Sequence, residues 1–219
     1  MQESAILNNI KNSDGKPVLL KMVAAVQKNK DYLNEIDGII GNGDHGINMN
    51  KGFSIFGDQI MDKKIGFTDG LYDLGFILFT KTGKSMGPIY GTIFMSMSEA
   101  GGEYEEIDLK TFSLILSGGL EALQDVIKAT VGDKTLIDTL SPANDAIQKA
   151  VREGKNFAEA LQMMKAAAIK GMDSTRELAA HYGRSSRQGN HSRGVLDVGA
   201  VSCCIILCAI ADGILELLA

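Results

Sequence analysis

The chain has few of the residues that most often carry nucleophilic or metal chemistry, with three histidines and three cysteines among 219 residues. No Gly-x-Ser-x-Gly segment accompanies the histidines, which argues against a serine hydrolase. The cysteines, Cys203, Cys204 and Cys208, share one apolar run and lack the spacing of a metal site. We interpret them as buried free thiols of a protein that works in the reducing cytoplasm.

Clusters of positive charge and membrane signals are also scarce. The formal net charge is −5 and no basic tract stands out, which argues against nucleic acid as the main partner. Residues 1–11 are polar and of mixed charge, so we expect no signal peptide. The one long apolar run, 195–219, contains Asp197, Asp212 and Glu216. It therefore predicts a buried terminal helix rather than a membrane span.

Apolar residues recur at helical spacing through most of the chain, and strand signals are weak. The pattern predicts about eight helices in a single domain over residues 1–219, and thus an all-α fold larger than a four-helix bundle. It includes a short amphipathic helix over 4–10 and one continuous helix over 18–36. The expected N-caps of later helices are Thr68 or Asp69, then Asp108, then Asn156.

The most informative stretch is DGIIGNGDHGINMN, residues 37–50. Asp37 and Asp44 supply the carboxylate oxygens that Mg²⁺ prefers, and the glycines allow backbone amides to approach a ligand. The residues after Gly46 resemble the first turn of a helix, whose free N–H groups favour an anion. The stretch predicts magnesium-nucleotide or magnesium-phosphate binding, although an ordinary polar turn remains an alternative for this segment alone.

Three further polar, glycine-rich loops each open a helix, near residues 83–88, 132–135 and 189–199. In an up-and-down arrangement alternate loops lie at one end, so four helix N-termini would build one anion site. The second loop contains TKTGKS, similar to the end of a Walker A loop, but Leu78 stands where that motif needs glycine. Lys84 could still contact a phosphate without a P-loop.

Four segments carry a family resemblance in chain order: GDHGINMNKGF at 43–53, GPIYG at 87–91, GDKT at 132–135 and GRSS at 183–186. On these motifs the chain resembles the ADP-binding L subunit of bacterial dihydroxyacetone kinase over most of its length. The resemblance implies an eight-helix antiparallel barrel with nucleotide-binding loops at one end. Those loops would hold ADP or ATP together with one or two Mg²⁺ ions.

The resemblance also implies roles for individual residues. The metal ligands would be Asp37, Asn42 and Asp44. The nucleotide-contacting positions would be His45, Gly46, Ile47, Asn48, Lys84, Ser85, Met86, Gly132, Thr135, His191, Asp197 and Gly199. A phosphohistidine M-type subunit would rephosphorylate the bound ADP. The phosphoryl group would pass to dihydroxyacetone or a related short keto-sugar on a K-type subunit, with no nucleophile from this chain.

Several loop positions depart from the family pattern. Asn42 stands where the family has aspartate, and the missing charge should weaken binding of a second Mg²⁺. Lys84 and Met86 replace a glycine and a small hydroxyl residue, and His191 and Val195 replace an arginine and a histidine. Two hypotheses therefore remain: an enzyme subunit that transfers phosphate, and a catalytically weakened paralogue that acts as a binding or regulatory module.

Overall fold

The structure, a computed structural model, describes residues 8–82 and 86–219. This part of the chain forms nine α-helices, with two short strands and two 3₁₀ segments. The strands are β1 (Asn9–Lys11) and β2 (Glu106–Asp108), and the 3₁₀ segments are Asn12–Asp14 and Arg184–Ser192. The helices are α1 (Lys16–Lys28), α2 (Lys30–Ile40), α3 (His45–Ile60), α4 (Phe67–Lys81), α5 (Met86–Gly101), α6 (Leu109–Val126), α7 (Ile137–Arg152), α8 (Phe157–Ser174) and α9 (Val198–Leu218).

Eight of these helices form a closed ring. From α3 to α9 each helix contacts the next one along the chain, and α1 closes the ring by contacting both α9 and α3. Helix α2 lies outside the ring, against α3 and α9. The all-α fold predicted from the sequence is confirmed, and the ring has the eight helices of the expected barrel.

The interior of the ring is one apolar cluster to which every ring helix contributes. Aromatic rings join neighbouring parts of it: the Phe53 and Phe94 centroids lie 6.3 Å apart, edge to face. Helices α1 and α9 approach so closely that a Cβ on Gly213 would lie 2.8 Å from the Cα of Val18. The apolar stripes of the helices thus face inward, and glycine allows the ring to close.

Helix α9 is long and apolar enough to cross a membrane, judged by length and composition alone. In the structure 72 % of its most apolar window is buried, and the helix lies between α8 and α1. Two acidic side chains of α9 form ion pairs with these neighbours: Asp212 pairs with Lys165 of α8, and Glu216 pairs with Lys21 of α1. The run that the sequence assigned to a buried terminal helix is therefore part of the ring.

Two of the predicted helix caps are confirmed. The Asp108 carboxylate accepts a hydrogen bond from the Thr111 amide at 2.8 Å, at the start of α6. The Asn156 side chain accepts a hydrogen bond from the Glu159 amide at 2.8 Å. The Glu159 carboxylate in turn accepts one from the Asn156 amide, which completes a capping box at the start of α8.

The predicted cap of α4 is wrong. The helix begins at Phe67, and Gly66 occupies the N-cap position instead of Thr68 or Asp69. The reason is tertiary, because the side chain of Asn12, distant in sequence, accepts a hydrogen bond from the Thr68 amide at 3.0 Å. A local N-cap is therefore not needed.

Two expectations near the N-terminus are also wrong. Residues 9 and 10, the end of the helix expected over 4–10, instead belong to β1, which pairs antiparallel with β2 and sets Ile10 opposite Ile107. Residues 4–7 of that expected helix lie outside the described residues. The continuous helix over 18–36 is interrupted at Asn29 (φ −99°, ψ 8°), whose side chain donates to the Ala25 carbonyl. A polar side chain that bonds the backbone in this way competes with helix propagation.

Candidate functional site

Four helix-opening segments meet at one end of the ring, around an open cavity of about 270 Å³. The N-termini of α3, α5, α7 and α9 all contribute to its wall. The lining residues are Asp37, Asp44, His45, Asn48, Met86, Ile89, Ile127, Ala129, Lys134, Thr135, Leu136, Tyr182, Gly183, Asp197, Val198 and Gly199. The convergence of loops that the sequence suggested is thus present in the fold, and it combines polar groups with an apolar wall.

The first loop is organised by Asp37, in the last turn of α2. Its Oδ2 accepts hydrogen bonds from the backbone amides of Asp44, at 2.9 Å, and His45, at 3.2 Å. Asn34 of α2 accepts from the Ile47 amide at 3.0 Å. Side chains of α2 therefore satisfy several of the amides at the start of α3, which the sequence predicts to be open for an anion.

Two glycines make this loop geometrically possible. A Cβ on Gly41 would lie 2.2 Å from Oδ1 of Asp37, so the missing side chain leaves space for the carboxylate. A Cβ on Gly46 would lie 1.9 Å from the carbonyl oxygen of Lys30, so α3 begins directly against the start of α2. The carboxylate of Asp37 is thereby held at the cavity wall.

Asp37 and Asp44 are the two carboxylates of this loop, and both line the cavity. The side-chain amide of Asn42 donates to Oδ2 of Asp44 at 2.8 Å. In the described part of the chain, no group of three or more His, Cys, Asp or Glu side chains is arranged to hold a metal ion. Two adjacent hard oxygen donors facing a cavity fit a divalent cation such as Mg²⁺, which completes its shell with water and phosphate.

His45 has a position different from that of a surface turn residue, since only 5 % of it is exposed. Its Nε2 lies 3.0 Å from Oγ of Ser202 in α9, and Oγ lies 2.7 Å from the hydroxyl of Tyr90 in α5. Burial raises the pKa of Tyr90 well above its ordinary value, so the phenol stays neutral. The imidazole at the cavity wall is thus connected to two buried hydroxyl groups.

The third loop is held by a buried carboxylate. Asp138, in the first turn of α7, accepts hydrogen bonds from the amides of Gly132, at 2.6 Å, and Thr135, at 2.7 Å. Gly132 has φ +105°, a left-handed conformation that favours glycine. These bonds fix the turn that brings Thr135 to the cavity.

Lys134, in the same turn, is almost completely buried, with 1 % of its surface exposed. Its backbone is also left-handed, with φ +61°. The ammonium group donates to the carbonyl oxygens of Thr175, after α8, and Val195, in the fourth loop. Burial lowers the pKa of Lys134, and the charge of Asp197 partly offsets this effect. One side chain thus ties the third loop to the fourth.

The fourth loop ends at Asp197, which caps α9 by accepting from the Ala200 amide at 2.8 Å. Burial raises the pKa of Asp197 to about 6, although the Ala200 amide and the Lys134 charge act in the opposite direction. The Asp197 amide donates to Oγ1 of Thr175 at 3.0 Å. This carboxyl is therefore a rigid part of the wall and is close to titration at neutral pH.

The sequence-predicted site residues divide into three groups. Those at the cavity wall are Asp37, Asp44, His45, Asn48, Met86, Thr135, Asp197 and Gly199. Those that do not line the cavity are Gly46 and Ile47, in the first turn of α3, and Asn42, Gly132 and His191, in the segments between helices. Lys84 and Ser85 lie outside the described residues.

His191 is separated from the cavity by the way the fourth loop folds. Residues Arg184–Ser192 form a 3₁₀ segment, and Ser192 at its end is buried. Its Oγ accepts from the Ala180 amide at 2.8 Å and donates to the Gly189 carbonyl at 2.6 Å. With Ser192 fixed inside, the neighbouring His191 is exposed to solvent.

Sequence reasoning assigned no role to Lys134, Asp138, Tyr90 or Ser202. The first three lie inside or beside the quoted motifs, so their position in the sequence was a signal that could have been used. Ser202 lies in the apolar run, where one hydroxyl residue among aliphatic neighbours is an unremarkable feature of a helix. Its contact with His45 joins residues 157 positions apart in the sequence.

Comparisons with known proteins were consistent with one another. Residues 39–212 match the model of the DAK2 domain family. The ADP-binding subunit DhaL of PEP-dependent dihydroxyacetone kinase 1 from Listeria innocua is 35 % identical over 182 residues, covering 83 % of this chain and 86 % of the relative. The corresponding subunit from Escherichia coli is 32 % identical over 175 residues, covering 78 % of this chain and 82 % of the relative.

A solved structure has the same fold. The crystal structure of the dihydroxyacetone kinase of C. freundii in its native form superposes with a TM-score of 0.70 at 19 % identity. The match covers 97 % of this chain but only 37 % of that longer chain. At this identity the comparison shows only that the fold is shared. The shared fold includes nearly the whole of this chain.

Proposed function

The chain belongs to the DAK2 domain family, and we propose that it is the nucleotide-binding subunit of a dihydroxyacetone-kinase-type phosphotransferase. The whole chain would act as one domain that holds ADP or ATP with Mg²⁺. It would pass the phosphoryl group to dihydroxyacetone, or to a related short keto-sugar, bound on a partner subunit. The names of the L. innocua and E. coli relatives support this proposal, since both are ADP-binding subunits of such a kinase.

The observation that carries the proposal is the convergence of four helix N-termini on a cavity with two adjacent carboxylates. Helix N-termini favour phosphate through their aligned peptide dipoles. Asp37 and Asp44 would hold Mg²⁺, and the apolar side chains of Ile89, Ile127 and Leu136 provide a surface for a flat base. Charge and shape thus both suit a nucleotide.

Phosphoryl transfer by such a subunit depends on positioning and charge neutralisation rather than on a nucleophile. A bound Mg²⁺ would neutralise phosphate charge. The chain's own contribution is a rigid frame: Asp37 fixes the start of α3, Asp138 fixes the third loop, and Asp197 fixes the start of α9. We propose that Asn48, Thr135 and Met86, all on the cavity wall, contact the nucleotide directly.

The acceptor and the partners are proposals that rest on relatives. Several relatives are subunits of PEP-dependent or PTS-dependent dihydroxyacetone kinases, and a more distant one is an L-erythrulose kinase. We propose a K-type partner that holds the sugar and a phosphohistidine M-type partner as phosphate donor, in the cytoplasm. A short keto-sugar is the substrate class that these names share.

A second candidate function is a binding or regulatory module that has lost efficient transfer. The hydrogen bond from Asn42 to Asp44 favours it, because an amide hydrogen occupies one oxygen of a proposed metal ligand. In this reading the barrel would still dock on a kinase subunit, but Mg²⁺ binding would be weak. The exposed position of His191 points in the same direction, since this predicted contact is away from the cavity.

The test begins with the chain purified without added nucleotide, denatured, and analysed for released nucleotide and magnesium. Near-stoichiometric ADP with Mg²⁺ is the expected result. Calorimetric titration of the emptied protein with Mg-ADP should then show binding that Asp37→Asn weakens at least about 10-fold, equivalent to 1.4 kcal/mol. Asp31→Asn is the matched control, because Asp31 is an exposed carboxylate in the first turn of the same helix.

The two candidate functions separate in a transfer assay with K-type and M-type subunits, or with ATP as donor. Phosphorylation of dihydroxyacetone by the wild-type chain would support the enzyme subunit and exclude the module as its main role. Nucleotide binding without transfer, with activity gained by Asn42→Asp, would support the module. A chain that binds neither Mg-ADP nor Mg-ATP would refute the enzyme subunit and leave only the module that docks on a partner.

A further inference from the structure

A buried chain of polar contacts runs from the cavity wall into the apolar interior of the ring. It joins His45 at the start of α3, Ser202 in the first turns of α9, and Tyr90 in α5. Their exposed fractions are 5 %, 0 % and 2 %. This polar network therefore connects three of the four helices whose N-termini line the cavity, α3, α5 and α9.

The contacts around Ser202 leave little freedom for its hydroxyl group. Oγ lies 2.7 Å from the Tyr90 hydroxyl, 3.0 Å from Nε2 of His45, and 3.1 Å from the carbonyl oxygen of Gly199. A serine hydroxyl has one hydrogen and two acceptor sites, so these three neighbours use its full capacity. The Tyr90 hydroxyl can also donate to the Gly199 carbonyl at 3.3 Å, so loss of the Ser202 hydroxyl would remove the contact with His45 and leave Tyr90 with the Gly199 carbonyl.

The surroundings of the network are apolar, which makes a polar contact costly unless it is complete. Tyr90 stacks on Phe94, with ring centroids 5.9 Å apart, inside the main core. Transfer of a hydroxyl into such surroundings is unfavourable without a hydrogen-bond partner. Within the described residues, every buried side-chain nitrogen or oxygen has a partner, so the polar groups of this network are satisfied inside the apolar interior.

We propose that Ser202 and Tyr90 are positioning residues, which hold the imidazole of His45 in a single orientation at the wall of the nucleotide cavity. The inference rests on the proposed function, because it assigns a purpose to that orientation. Nε2 lies against Ser202 inside the core while His45 lines the cavity, so this contact sets how the imidazole is oriented at the wall. Tyr90 acts one step further away, by fixing the hydroxyl of Ser202.

The binding test uses the full chain and Mg-ADP as the probe. Ser202→Ala should weaken binding roughly 5- to 20-fold, and Tyr90→Phe should weaken it about 2- to 5-fold, because each loosens the ring without removing it. Ser202→Thr keeps the hydroxyl and should restore most of the affinity. The matched control is Ser113→Ala, since Ser113 is a buried serine of α6 that does not line the cavity.

A double-mutant cycle separates positioning from general support of the fold. Once His45→Asn has removed the imidazole, Ser202→Ala should cause little further loss of affinity. A loss that adds in full to that of His45→Asn would mean that Ser202 acts independently of the ring, and would overturn the proposal. Circular dichroism and thermal melting of each variant show whether it is folded, and Tyr90→Phe, combined with His45→Asn in the same way, carries the test if Ser202→Ala is not.

An NMR measurement tests the orientation without any nucleotide. The ¹⁵N and ¹H signals of the His45 ring should report one dominant tautomer in the wild-type chain and should change in Ser202→Ala. Identical ring signals in both chains would overturn the inference. A wild-type chain that does not bind Mg-ADP would instead overturn the proposed function, so the two failures are distinguishable.

Discussion

The side-chain amide of Asn42 donates a hydrogen bond to Oδ2 of Asp44, with the two atoms 2.8 Å apart. The contact places a neutral donor beside a proposed metal ligand, in a loop that also contains Asp37. A carboxylate in the place of Asn42 would face Asp44 with like charge, and a cation between them would be needed to relieve the repulsion. With Asn42, a hydrogen bond to Asp44 takes the place of that repulsion, so this pair of side chains needs no cation between them.

The first prediction concerns Asn42→Asp. Without Mg²⁺ the variant should be less stable by about 1 kcal/mol, because the hydrogen bond is lost and two carboxylates face each other. With Mg²⁺ and ADP it should bind more metal per chain than the wild type. Thermal melting with and without Mg²⁺, and metal counting on the nucleotide complex, measure both effects.

Gln59→Glu is the control for this charge change. Gln59 is exposed and lies at the opposite end of α3 from the cavity, so the added charge should alter neither the metal count nor its effect on melting. An Asn42→Asp chain that is as stable as the wild type in the absence of Mg²⁺ would contradict the proposed role of the hydrogen bond.

The second prediction concerns the clamp formed by Lys134. Lys134→Met should lower the free energy of unfolding by about 2–3 kcal/mol, because the carbonyl oxygens of Thr175, which is buried, and Val195, which is half-buried, lose a charged donor. Urea unfolding measures the change. Lys128→Met, at an exposed lysine just before the same loop, should change stability by less than about 0.5 kcal/mol. Equal effects of the two substitutions would show that the clamp does not stabilise the fold.

The third prediction is a pH dependence that arises from Asp197. Burial raises its pKa to about 6 from an ordinary value of 3.8. The folded chain therefore binds this proton at a higher pH than the unfolded chain, so the contribution of the group to stability increases as the pH falls through 6 towards 3.8. Between pH 7 and pH 5 the increase is about 1 kcal/mol.

The measurement compares the wild type with Asp197→Asn, which keeps a cap oxygen but does not titrate. Unfolding free energies are determined at pH 7 and pH 5, without nucleotide or Mg²⁺. Relative to the variant, the wild type should gain about 1 kcal/mol of unfolding free energy when the pH is lowered from 7 to 5. A difference that stays constant would mean that Asp197 is already ionised throughout this range.

The fourth prediction concerns the close approach of α8 to the first turn of α7. A Cβ on Gly171 would lie 2.0 Å from the carbonyl oxygen of Asp138, so Gly171→Ala should destabilise the fold by about 2 kcal/mol or more. It should also weaken Mg-ADP binding, since Asp138 holds the amides of Gly132 and Thr135.

Gly38→Ala provides the comparison, because a Cβ there meets nothing nearer than 3.9 Å, on Gly43. In a helix such a change should be neutral or stabilising by about 0.5–1 kcal/mol. Thermal melting of both variants gives the comparison. If the Gly171→Ala variant melts at the same temperature as the wild type, α7 and α8 can move apart without loss of stability, which would contradict the prediction.

Much of the fold could be predicted because its signals are local. The helical stripes, the caps at Asp108 and Asn156, and the glycine-rich openings of α3 and α7 depend on residues within a few positions of one another. Hydrogen bonds between a cap side chain and the amide three residues later need no tertiary contact. For the same reason Asp37 and Asp44 could be recognised together from their spacing.

The errors arose where distant residues decide the local conformation. Residues 9–11 became a strand because β2, almost a hundred positions later, pairs with them. The start of α4 is set by Asn12 rather than by a local cap, and His191 is exposed because its neighbour Ser192 is anchored to Ala180. The contacts responsible join segments whose proximity is a property of the closed ring.

The sequence by itself determined the class of the fold, the two carboxylates of the first loop and the family to which the chain belongs, because periodicity and short-range motifs encode them. Only the tertiary structure decided that Lys134 is a buried clamp and that His45 meets Ser202 inside the ring. Such contacts depend on burial and on side-chain direction. Both are set when eight helices close around one core, and neither is a property of a short stretch of chain.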